Sequence, residues 1–170
     1  SLPLQPAQSL SAQGLLDEAL MADLAHEPGV ALASPVLELA AQAAAPGAPA
    51  QTLRVLGLDA LVIGALSPAL LPHPGAAAVR AGESADDPRL MSLHPDVLFL
   101  NPAARRLLGE PDTLTLGVGA LSRTLRVAGH VGAGGAPLAV MDLGALQDLA
   151  QRWGQLSWID LRLTPGADAA

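Results

Sequence analysis

Four histidines, sixteen carboxylates and two glycine-rich runs are the groups in this 170-residue chain suited by type to chemistry, and their spacing argues against most of it. His26, His73, His94 and His130 lie far apart in sequence. None has the i, i+4 partner of a local zinc pair, so only a site assembled from distant histidines stays open, and exposed loop positions are the simpler reading. Glu83, Asp86 and Asp87 form an acidic loop without the alternating acids, central glycine and distal glutamate of a calcium loop. Gly117-Val118-Gly119 and Gly132-Ala133-Gly134-Gly135 fall between expected strands, and the chain has no lysine to reach a phosphate. Both read as hairpin turns rather than phosphate cradles. No serine sits in a G-x-S-x-G turn, since Gly82-Glu83-Ser84-Ala85-Asp86 lacks the second glycine. Asp142 and Asp160 flank a predicted helix and have the residue types of an acid–base pair. A helix cap for the first and an outward strand position for the second account for them more simply. No catalytic, cofactor-binding or metal-binding residue is therefore assigned. The small-residue tip Ala43–Ala50 and the loop Ala81–Pro95 are candidate partner contacts, with plain solvated connection as the competing reading.

The elements that must position these groups are clearest near the C-terminus. Leu138-Ala139-Val140-Met141 has the composition of a buried strand. Asp142 follows where the period changes and can accept from the free N–H groups of a helix start. Leu143, Leu146, Leu149, Ala150 and Trp153 recur at helical spacing, with Gln147, Asp148, Gln151 and Arg152 opposite, and Gly154 ends the helix. From Trp158 to Thr164 the period is two, placing Ile159, Leu161 and Leu163 on one face and Asp160, Arg162 and Thr164 on the other.

Upstream, Ser1–Gln8 reads as an extended lead-in. Ser9 or Ser11 is expected to cap a helix running to about His26, on a stripe of Leu16, Leu20 and Leu24. Val30–Leu39 reads as a strand that Pro35 confines to an edge or forces to bulge. The small-residue tip joins it to a returning arm, Thr52–Leu58. Asp59–Pro74 mixes helical content with Gly64, Pro68 and Pro72, and Gly75–Pro95 reads as loop, with one helical turn after Asp87-Pro88. Then Val97–Leu100 is a buried strand, Asn101-Pro102 opens a short helix closed by Gly109, and two strands alternate over Thr113–Leu116 and Arg123–Val127. The expected fold class is α+β: a mixed β-sheet with β-α-β units and a second, inserted lobe. The expected division is a core lobe made of residues 1–58 and 137–170, with 59–136 as the insertion.

Bulk properties narrow the function classes. A net charge of −7 with arginine as the sole strong base argues against nucleic acid and anionic membrane surfaces. The absence of cysteine excludes disulfides and thiolate chemistry, and suits an oxidising compartment without requiring one. Aromatics make up 2% of a chain that is 51% hydrophobic, so the core must be leucine, valine and alanine. No window reaches the roughly 18 apolar residues of a membrane span; Ala60–Leu71 is the nearest and contains Pro68. The Ser1 start and the abrupt end after Gly166-Ala167-Asp168 suggest a piece of a longer protein.

In order, Gly29–Pro35 (GVALASP), Leu56-Gly57-Leu58-Asp59, Leu98–Gly109 (LFLNPAARRLLG), Asp112–Leu116 (DTLTL), Met141-Asp142-Leu143 with Gln147, and Ile159-Asp160-Leu161 resemble the MacB-like periplasmic core domain of FtsX-type ABC transporter permeases. That resemblance implies a non-enzymatic domain on the extracytoplasmic side of the inner membrane, carried between membrane helices. It also implies a cytoplasmic ATPase subunit as the energy source, with a second permease copy or a periplasmic protein as further partners. The implied role is transmission of conformational change, contact with cargo, or both, and no cofactor. A mechanical domain of that kind needs its two chain ends on one side of the fold. The alternative from another class is a free-standing periplasmic or cytosolic binding domain for a peptide or small apolar ligand, which calls for a deep, closed pocket. A third, a hydrolase, calls for Ser, His and Asp side chains gathered in a cleft.

Overall fold

The computed structural model describes residues 8–75 and 94–164. The lead-in before Gln8, the acidic residues Glu83, Asp86 and Asp87, the Gly82–Asp86 stretch, most of the loop Ala81–Pro95 and the helical turn after Asp87-Pro88 lie outside them. The described chain runs β1 (Gln8–Asp17), α1 (Leu20–Ala25), β2 (Val30–Ala44), β3 (Gln51–Leu58), α2 (Ala60–Leu66), a 3₁₀ turn (Pro68–Leu70), β4 (His73–Pro74), β5 (Val97–Leu100), α3 (Pro102–Leu108), β6 (Thr113–Val118), β7 (Leu121–His130), β8 (Leu138–Asp142), α4 (Leu143–Ala150) and β9 (Gln155–Leu163). This is the expected α+β class with a mixed sheet.

The strands order as β1-β9-β2-β3-β8-β5-β7-β4, with β6 pairing both β2 and β7. Those two pairings close a hydrogen-bonded ring, β2-β3-β8-β5-β7-β6 and back to β2. Two pairings, β3–β8 and β5–β7, are parallel. The rest are antiparallel. Strand alternation divides the core in two. Leu37, Leu39, Leu53, Val55, Leu98, Leu100, Leu114, Leu125 and Met141 share the larger cluster with Leu146 and Leu149 of α4. Val36, Leu56, Leu58, Phe99 and Val140 point the other way and pack with Ile63 of α2. Strands β5 and β8 are buried on both faces, which explains their unbroken apolar runs.

By chain order, residues 59–136 lie between two segments of the sheet; by hydrogen bonding their strands are part of it. β5 pairs with β8, and β6 with β2.

Four expectations need correction. The helix predicted from Ser9 or Ser11 to His26 is instead β1, a turn and the six-residue α1. The competing force is the open edge of β9, against which β1 pairs from Gln8↔Leu161 to Asp17↔Gln155. The leucine stripe still reaches the core, through Leu16 at the strand end and Leu20 and Leu24 on α1. Pro35 does not make β2 an edge strand, since β2 lies between β9 and β3, and it marks no bulge, since the register shift falls between Val30 and Leu32. The proline is tolerated because the β2–β3 ladder stops at Val36↔Leu58, so one flank is already open there. The Gly132–Gly135 run is not a hairpin turn, since β5 lies between β7 and β8. Finally, α4 ends earlier than read: Gln151 is the left-handed cap at φ 55°, leaving Trp153 beyond the helix and 63% exposed.

Candidate functional site

The first functional element is an edge. Gln8 pairs with Leu161, and Val30 pairs with Leu163. The Thr164 N–H donates to the Gly29 carbonyl at 2.9 Å and its hydroxyl to the Pro28 carbonyl at 3.3 Å. The entering strand β1, the leaving strand β9 and the start of β2 thus share one end of the fold. The two described ends are side by side, as the mechanical reading requires.

From that edge β2 runs fifteen residues to the tip at Ala45–Ala50, a reach of about 50 Å at strand rise. Eight consecutive register pairs, Val36↔Leu58 to Ala43↔Gln51, join it to β3. Its outer face is fastened by the Arg54–Glu38 ion pair and by Gln42 Nε2 donating to Thr52 Oγ1 at 3.1 Å. Where β9 leaves β2, the Ser157 hydroxyl accepts from the Glu38 N–H at 2.7 Å and donates to the Glu38 carbonyl at 3.2 Å. The far end is gripped by β6 at Gln42↔Gly117, Ala43↔Leu116 and Ala44↔Thr115. Beyond this, Pro46–Ala50 are exposed. The geometry is that of a long strand paired along most of its length and exposed at its tip.

The sequence-stated candidates scatter. His26 is exposed at the end of α1 and His94 is exposed before β5. His73 and His130 do meet: they are register partners of β4 and β7, with ring centres 5.3 Å apart and planes at 25°. No local motif announced this, because a two-residue strand has no period to read. His130 lines an open cavity of about 180 Å³ with Gly75, Leu100, Arg105, Glu110 and Val127. Burial, then the neighbouring His73 and Arg105, lower the pKa of His130.

Asp142 is the expected cap, its carboxylate accepting from the Ala145 N–H at 3.0 Å. Asp160 is not outward-facing; it is 8% exposed. That face of β9 is covered by α2, whose Ala65 carbonyl accepts from Arg162. The carboxylate that acts on Asp142 is instead Asp59, brought close by the parallel pairing Leu58↔Asp142. Burial first, then Asp59, raise the Asp142 pKa against the lowering N–H groups of Ala145 and Gly144. Leu58-Asp59 and Met141-Asp142 repeat one pattern, an apolar run ending in aspartate before a helix, but the pattern alone does not show that the two strands pair. Leu58, Asp59 and Asp142 line an open cavity of about 290 Å³ with Glu18, Pro35 and Leu143. Gln147, read as polar surface, is buried and donates to the Gln155 carbonyl at 3.1 Å. Among the described residues no three His, Asp or Glu side chains converge as metal ligands, and no helix is long and apolar enough to cross a membrane.

No family model matches the sequence, and no curated protein matches it. Solved structures do. The periplasmic region of MacB from Actinobacillus actinomycetemcomitans superposes with a TM-score of 0.63 at 12% identity, over 91% of this chain and 67% of that one. The extracellular domain of the ABC-type transporter YknZ from Gram-positive bacteria gives 0.62 at 10% identity, over 91% of this chain and 76% of that one. A domain of a protein described as a permease from Porphyromonas gingivalis gives 0.63 at 12% identity, over 95% and 75%. The fold implied by the resemblance is the fold found: this chain is built as the MacB-like periplasmic domains of ABC-type permeases are built.

Proposed function

We propose that this chain is the extracytoplasmic domain of an ABC-type permease and acts as a mechanical part with no chemistry of its own. The observation that carries the reading is the placement of both described ends at one edge, Gln8 beside Leu161, with β2 starting at that edge and ending at a bare tip. Membrane helices attached at such an edge would move it directly, and the continuous β2–β3 ladder would pass the displacement to Ala45–Ala50. Energy would come from a cytoplasmic ATPase acting through those helices. The tip would meet cargo, a second permease copy or a partner protein outside the membrane. The alternative binding-domain reading finds less support, because the cavities at His130 and Asp142 are open to solvent.

The test uses the lack of cysteine in this chain. In the parent protein, with any other cysteines replaced and its ATPase present, Ala48→Cys is exposed to a membrane-impermeant maleimide. The reading expects labelling from outside the cell at a rate that changes when ATP is supplied. Labelling only after lysis would sink the placement. Outside labelling indifferent to ATP would sink the mechanical role.

A further inference from the structure

We propose that His73 and His130 form a two-imidazole site for a late first-row divalent cation such as Zn²⁺, clasping β4 onto β7. This goes beyond the mechanical reading and does not depend on it. The two histidines are directly opposed across an antiparallel pair, and both are exposed. Their ring centres are 5.3 Å apart. Two imidazoles on one tetrahedral ion, with metal–nitrogen bonds of about 2.0–2.1 Å, have centres about 5 Å apart. The rings lie stacked with planes at 25°, so chelation requires both to rotate until a nitrogen of each faces the ion.

The backbones beneath approach closely. Gly75 N–H donates to the Ala128 carbonyl at 2.7 Å, and a Cβ on Gly129 would lie 1.9 Å from the His73 carbonyl oxygen. Only glycine permits so close a crossing, which holds the two histidines in register. Among the described residues, Arg105 and Glu110 are the charged groups on the wall of the cavity that His130 lines. Arg105 disfavours a cation, but it is itself paired with Glu110 at 3.0 Å. Two protein ligands leave the remaining positions to water. Imidazole suits Zn²⁺, Ni²⁺ and Cu²⁺ and gives no reason to hold Mg²⁺ or Ca²⁺.

Calorimetric titration of the whole chain with Zn²⁺ alone tests this. One ion per chain is expected, with no uptake of Mg²⁺. His73→Asn and His130→Asn should each weaken binding by at least about tenfold, because the second imidazole binds intramolecularly. His26→Asn and His94→Asn should bind as the parent does. Absence of uptake, or uptake unchanged in both site variants, overturns the proposal, as does equal loss in the His94 control. Should either site variant fail to fold, histidine ring NMR on the unmodified chain decides. Zn²⁺ must shift the His73 and His130 signals together and leave His26 in place; any other pattern overturns the proposal.

Discussion

Asn101 is the side chain on which the junction between β5, α3 and β8 turns. It is fully buried, and its amide makes four hydrogen bonds. Oδ1 accepts from the N–H groups of Ala104 and Leu138, both at 2.9 Å. Nδ2 donates to the carbonyls of Ala133 and Ala136 at 3.1 and 2.9 Å. The residue caps a helix and also fixes the Gly132–Gly135 crossover, so Asn101→Ala leaves several groups without partners. A loss of about 3 kcal/mol is expected in urea unfolding. Asn101→Asp, which keeps the acceptors and loses the donors, should not restore it. Asp142 gives the contrasting case. Its raised pKa means that the folded chain holds the proton more tightly than the unfolded chain. Its contribution to stability is therefore fullest below the ordinary value of 3.8 and is lost as pH rises through the raised native value. Asn keeps the cap without the charge. The stability of Asp142→Asn relative to the parent should grow with pH across an unfolding series from pH ~3 to ~7. A difference that shrinks with pH would show that the helix N-terminus, not burial and Asp59, dominates the carboxylate.

At the level of elements, α4 lies on β3 at the one place where the strand offers no side chain. A Cβ on Gly57 would stand 3.0 Å from Leu146 Cβ and 3.1 Å from Leu143 Cα. Neither contact is the end of a flexible chain, so Gly57→Ala must push the helix itself. About 1–3 kcal/mol of destabilisation is expected from thermal or urea unfolding. A neutral result would mean that α4 slides freely on the sheet. The β8–α4–β9 unit was legible because each signal was local: a buried run, a capping aspartate, a helical stripe, then alternation. The α3 turn was legible for the same reason, with Asn101, Pro102 and Gly109 at their expected positions. What could not be read was set by distant partners. β1 owes its strand state to β9, and β4 owes its existence to β7, while the sequence of β1 carries a leucine spacing that fits a helix equally well. The His73–His130 contact and the Asp59–Asp142 coupling were hidden likewise, each depending on register between strands remote in sequence.

For the whole molecule, the question is whether residues 59–136 behave as a lobe of their own or share one cooperative unit with the rest. β5 lies between β8 and β7, and Leu98, Phe99 and Leu100 are fully buried. Withdrawing those three side chains costs about 5–9 kcal/mol at the usual value per buried residue. That is comparable to the entire stability of a typical domain, about 5–15 kcal/mol. It would also uncover Val140 and Met141 on β8, which are 0% exposed. On these magnitudes a separate opening of 59–136 is expected to cost about as much as unfolding the whole domain. Native-state hydrogen exchange should find the amides of β5, β6 and β7 opening with the same free energy as those of β3 and β8, and with the same denaturant dependence. β4, a two-residue strand at the sheet margin, should exchange earlier. A distinctly lower opening free energy for β5–β7 than for β3 and β8 would establish the inserted lobe as independent. A single value across the closed ring would make the domain one cooperative body, which is what the proposed mechanical role requires if motion is to pass from the edge at Gln8 and Leu161 to the Ala45–Ala50 tip.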